Sequence, residues 1–78
     1  MDRIVAVSHK MNGMLDDDYT LFESGKILHE YDKHSYPGGQ GLKVELTKSQ
    51  INDEVKYRLL NSSSEEDKDL AKRLLGMT

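Results

Sequence analysis

The sequence predicts an α+β fold: a small antiparallel sheet of three or four strands, laid out as an N-terminal meander, with a C-terminal two-helix hairpin packed on one face. Three observations predict it. Short β-branched and aromatic runs in residues 3–31 are separated by two turn signals, Asn12-Gly13 and Glu23-Ser24-Gly25. Residues 42–46 alternate apolar and charged, as a half-buried strand does. Beyond residue 50 the apolar spacing becomes helical and stays so to residue 75. The chain reads as a single domain over 1–78, mainly β over 1–46 with a loop at 32–41, and two helices over 47–76.

Arg3-Ile4-Val5-Ala6-Val7-Ser8 reads as a first strand buried on both faces. Asn12-Gly13 would form a two-residue hairpin loop, since both central positions of that turn favour positive φ. The next strand ends in Tyr19-Thr20-Leu21-Phe22. Glu23-Ser24-Gly25-Lys26 reads as a type I turn closed by a glycine bulge, with Gly25 left-handed, and Ile27-Leu28-His29-Glu30-Tyr31 returns. These turns place Ile4 opposite Leu21, Ala6 opposite Tyr19, Leu21 opposite Ile27 and Tyr19 opposite His29. Ile4, Ala6, Tyr19, Leu21 and Ile27 then share one face, and Val5, Val7, Phe22 and Leu28 the other. Asp16-Asp17-Asp18 strains this reading. Adjacent carboxylates repel and are poor strand formers, so a long, frayed first loop is the alternative.

Thr47-Lys48-Ser49-Gln50 has capping-box spacing, and Ile51, Val55, Leu59 and Leu60 form the stripe of a helix ending near Asn61. Ser62-Ser63-Ser64-Glu65-Glu66 offers two overlapping capping boxes. Leu70, Ala71, Leu74 and Leu75 make the second stripe, which Gly76 is placed to stop. Asp53-Glu54 and Glu65-Glu66-Asp67 near helix starts, with basic residues later, complement the helix dipoles. Glu54 with Arg58 and Asp69 with Arg73 are spaced to pair. Two helices cannot cover both faces of the sheet, so one apolar face is expected to stay partly open and to serve a partner or a second copy.

Composition narrows the function classes. A chain of 78 residues buries only roughly 60–65% of its unfolded surface. It has no cysteine, hydrophobic content of 36%, charged content of 32% and a mean hydropathy of -0.71. The absence of cysteine in so small a domain, and a start, MDRIVAVSHK, without a signal-like apolar run, point to a complete cytoplasmic protein. The net charge is -3, and all of it lies in residues 1–41, with four basic against seven acidic residues. That balance argues against nonspecific nucleic-acid or anionic-membrane binding.

The motifs point to recognition rather than catalysis. HSYPGGQG at 34–41 holds three of the six glycines but no Walker lysine, and a strand follows it, so it is not a phosphate loop. Pro37-Gly38 fits a type II turn that holds out Tyr31, His34, Tyr36 and Gln40 as candidate partner-binding residues. Asp16, Asp17 and Asp18 are the second candidate set, an acidic patch for a basic partner. Their consecutive order does not match a calcium loop. His29, Asp32 and His34 do not match zinc spacing, Ser8 and His9 point to opposite strand faces, and no nucleophile elbow is present. No cofactor, metal or catalytic residue is expected, and a domain this small leaves little volume for a closed pocket. The expectation is a small non-catalytic interaction or regulatory module for a protein partner, with a homodimer as one form of it. The alternative is nucleic-acid binding by Tyr19 and Tyr31 with nearby basic residues, or weakly by Lys68, Lys72 and Arg73.

Overall fold

The computed structural model of the chain describes residues 2–33, 38–39 and 41–77. The elements are β1 (Ile4–Ser8), β2 (Met11–Asn12), β3 (Leu15–Phe22), β4 (Ile27–Tyr31), β5 (Leu42–Leu46), a 3₁₀ turn (Lys48–Gln50), α1 (Asp53–Ser62) and α2 (Lys68–Leu74). The sheet is antiparallel in the order β1-β3-β4-β5, and β2 pairs with the far end of β3. Residues 42–46 are thus a strand of the meander, and the two C-terminal helices pack against the sheet. Among the described residues no helix is long and apolar enough to cross a membrane.

The second hairpin follows the sequence closely. Leu21 faces Ile27 and Tyr19 faces His29. Gly25 has φ +96° and donates its N–H to the Phe22 carbonyl at 2.9 Å, closing the turn. The first hairpin is shifted. Asn12 pairs with Leu15, so Gly13 and Met14 form the two-residue loop instead of Asn12 and Gly13. Gly13 has φ +66° and no non-glycine residue among the described ones has positive φ, which suits a turn with glycine at its first central position. Ala6 therefore faces Leu21 rather than Tyr19, a two-residue slip that keeps it on the same side.

A bulge then reverses the phase at the start of β1. Ile4 pairs with Phe22 while Ala6 pairs with Leu21, leaving Val5 as an extra residue. Val5 and Ala6 are consequently both buried, at 5% and 3% exposure, and Ile4 is turned out at 53%. The expected grouping of Ile4 with Ala6, Leu21 and Ile27, and of Val5 with Val7, Phe22 and Leu28, is corrected by this bulge. Nor is β1 buried on both faces, because Val7 is 49% exposed. The core joins Val5, Ala6, Leu21 and Ile27 of the sheet to Val55, Leu59, Ala71 and Leu75 of the helices.

The helices start later than their apolar stripes suggest. The Thr47 N–H does donate to Gln50 Oε1 at 2.8 Å, but this closes the 3₁₀ turn. Asn52 caps α1 instead, accepting from the Val55 N–H at 3.0 Å, so Ile51 precedes the helix. Ser63 ends α1 by donating both its N–H and its hydroxyl to the Leu60 carbonyl. Gly76, at φ +72°, stops α2 as expected. The Gly76 N–H bonds the Arg73 carbonyl and the Met77 N–H the Lys72 carbonyl, the paired pattern of a glycine-terminated helix. Arg3 forks onto Asp67 with bonds of 3.0 and 3.2 Å and ties β1 to the start of α2.

Candidate functional site

Because both helices lie over the Ala6, Leu21 and Ile27 side, the opposite face of the sheet carries no helix among the described residues. Strand alternation fills it. Ile4 stands beside Phe22, and Val7 stands beside Thr20, which stands beside Leu28. Ile4 and Val7 are about half exposed, and Phe22 and Leu28 are half-buried. Thr20, in their midst, is 9% exposed although no helix among the described residues lies over it. The rim is charged. Lys26 Nζ lies 4.6 Å above the Phe22 ring and 3.9 Å from Glu45. Asp18 bonds His9 Nδ1 at the other end. The face that the helices leave bare thus has an apolar centre and a charged rim.

The three aspartates do not act as one patch. All lie inside β3, so the frayed loop is excluded, and alternation separates them. Asp16 is exposed, and its N–H donates to Asp32 Oδ2 at 3.0 Å. Asp18 faces the open side with His9. Asp17 turns to the helix side, where its carboxylate accepts from His29 Nε2 at 2.6 Å and from Arg58 Nη1 at 3.0 Å. A carboxylate only accepts, so His29 carries its proton on Nε2. Burial opposes ionisation of Asp17, but the bonds from His29 and Arg58 outweigh it and hold the carboxyl below the ordinary range.

Arg58 is the functional-looking residue that pairing rules misplace. It joins neither Glu54 nor solvent. Its Nε donates to Ser8 Oγ at 3.0 Å and its Nη2 to the Asp17 carbonyl at 2.8 Å. Glu54 lies 3.8 Å from Lys10 instead. The guanidinium also lies 5.1 Å from the centre of the Tyr19 ring. Below it the rings of Tyr19, His29 and Tyr31 form a stack, with centroid separations of 4.2 and 4.5 Å. Burial, with help from Asp17, pushes the Tyr19 phenol up. A signal for Arg58 was present: it follows Val55 by three residues and precedes Leu59, inside the apolar stripe.

Of the loop candidates, Tyr31 is in this stack, at the end of β4. His34, Tyr36 and Gln40 lie outside the described residues, as does Pro37 of the expected turn. Gly38 has φ +90°, which the third position of such a turn requires. The base of the loop is stapled. Asp32 accepts from the N–H groups of Asp16 and Gly41, and these bonds hold its carboxyl below the ordinary range. The Lys33 N–H meets the Gly39 carbonyl. Among the described residues no three His, Asp or Glu side chains are placed to hold a metal ion. Comparison with known proteins returned no family model, no curated protein and no solved structure that matches the chain.

Proposed function

We propose that this chain is a small non-catalytic protein-interaction module whose partner docks on the helix-free face of the sheet. One observation supports the reading above the others: Ile4, Val7, Phe22 and Leu28 form an apolar group on a face that no element among the described residues covers. A partner layer over that face would complete a three-layer arrangement and remove half-exposed Ile4 and Val7 from water. The charged rim of Lys26, Glu45, Asp18 and His9 would orient it. Asp17, committed to Arg58 and His29, belongs to the scaffold in this reading, and the partner meets Asp18 instead. A nucleic-acid platform built on Tyr19 and Tyr31 has less support, because Arg58 of α1 lies over Tyr19 and carboxylates 16, 17, 18 and 32 surround the strand ends there.

The test is capture from source lysate on the immobilised chain, with circular dichroism to establish folding. Val7→Glu should abolish recovery of a partner that the wild type retains, and the fold should be unchanged. If Val7→Glu captures as well as the wild type while a His34→Ala, Tyr36→Ala double variant does not, the partner sits on the 31–41 loop and the proposal fails.

A further inference from the structure

The β3–β4 turn, the end of β5 with the residues after it, and the last turn of α2 surround an open cleft of about 590 Å3. That is the scale of small-molecule sites, about 300–1,000 Å3, and more room than the chain length suggests. Its apolar part is Leu46 and Leu74, which pack against the core. The cleft lies on the helix side and shares Lys26 and Glu45 with the rim of the helix-free face.

Its rim is cationic. Lys26 is neutralised by Glu45 at 3.9 Å. Lys48 and Arg73 remain, and neither has an ion-pair partner among the described residues. They come from different elements and line the same cleft. The stem of Lys48 crosses Gly76, its Cδ only 3.4 Å from where a Cβ would stand. A helix C-terminus favours cations, and the carbonyls of Lys72 and Arg73 are already bonded by Met77 and Gly76. Two positive charges thus face one apolar-lined cleft in a chain whose net charge is -3. The complementary ligand has a doubly negative head and an apolar body. The geometry points to a binding site for a small organic phosphomonoester, its phosphate between Lys48 and Arg73 and its body on Leu46 and Leu74. A guanidinium offers parallel N–H groups to phosphate oxygens, and an ammonium supplies a point charge beside it.

The experiment is a titration of phenyl phosphate into the isotope-labelled full chain, followed by amide chemical shifts. Saturable shifts confined to residues 24–26, 45–48 and 73–76 are expected, with a dissociation constant below about 1 mM. Lys48→Gln and Arg73→Gln should each weaken binding about tenfold, while Lys68→Gln, outside the cleft, should not. Absence of saturation up to about 10 mM, or shifts centred elsewhere, overturns the site even if a variant fails to fold. Inorganic phosphate binding as tightly as phenyl phosphate removes the apolar body from the proposal. A phosphotyrosine peptide binding far more tightly than phenyl phosphate overturns the small-molecule assignment.

Discussion

Arg58→Ala is the substitution whose cost follows most directly from geometry. The side chain is 16% exposed and its partner Asp17 is 22% exposed. Alanine removes the bonds to Asp17 Oδ2, the Asp17 carbonyl and Ser8 Oγ, which measure 3.0, 2.8 and 3.0 Å. It leaves the Asp17 carboxylate with His29 alone on the helix side of the sheet. Hydrogen bonds to charged groups contribute about 1.5–3 kcal/mol each, and breaking a fully buried ion pair costs about 3–5 kcal/mol. Both partners retain some contact with water, so a loss of about 2–4 kcal/mol is expected. In a domain of this size that lowers Tm by about 10–25 °C. Urea unfolding of wild type, Arg58→Ala, Asp17→Asn and the double variant measures it, and the two changes should be coupled by at least about 1 kcal/mol. A loss below about 1 kcal/mol, or strict additivity, would refute the claim that this pair fastens α1 to the sheet. Arg3→Ala, which breaks a solvent-exposed fork onto Asp67, should shift the midpoint less.

The bulge in β1 predicts opposite outcomes for neighbouring residues: Val5→Ala should cost about 2 kcal/mol and Ile4→Ala less than about 0.5 kcal/mol in chemical unfolding. The reverse order would mean that the strand is paired without a bulge. Asp17 contributes to acid sensitivity. Its folded pKa lies below the ordinary 3.8, so its contribution is present above that value and is lost as pH falls through the depressed one. Urea midpoints should therefore drop below about pH 4, less steeply for Asp17→Asn than for wild type, and equal slopes would remove Asp17 from the acid transition. Gly76→Ala forces a side chain into φ +72° and should cost about 1–2 kcal/mol by thermal unfolding. A loss within about 0.3 kcal/mol of zero would show that the end of α2 relaxes freely.

What the residues reveal in advance depends on how local the cause is. The Gly25 turn, the stop at Gly76 and the pairing of Leu21 with Ile27 follow from nearby residues, and all are present. The strand over residues 42–46 announces itself by alternation. The first hairpin is harder. Asn12-Gly13 marks the turn, but which two residues form the loop depends on the pairing beyond it, and the bulge at Val5 depends on what the core accepts. A strict period of two cannot show a bulge, so Ile4 and Val5 exchange faces. Three adjacent aspartates look unfit for a strand until Arg58, 41 residues away from Asp17, supplies the charge. Such long-range compensation has no local trace beyond an arginine set within an apolar stripe. The bare face follows from simple coverage, since two helices leave one side open; which side stays open is a tertiary matter. The cleft is a product of three separated segments, so neither its volume nor its cations could be read from spacing.

The central claim is that a partner docks on the helix-free face, and site-specific photocrosslinking tests it most directly. A photoreactive residue replaces Val7 in one chain and Tyr57, exposed on α1, in another. Each is irradiated in source lysate. A partner on the helix-free face gives one discrete crosslinked protein from position 7 and none from position 57, with twice the chain mass if the partner is a second copy. A discrete adduct from position 57 with none from position 7 would contradict it.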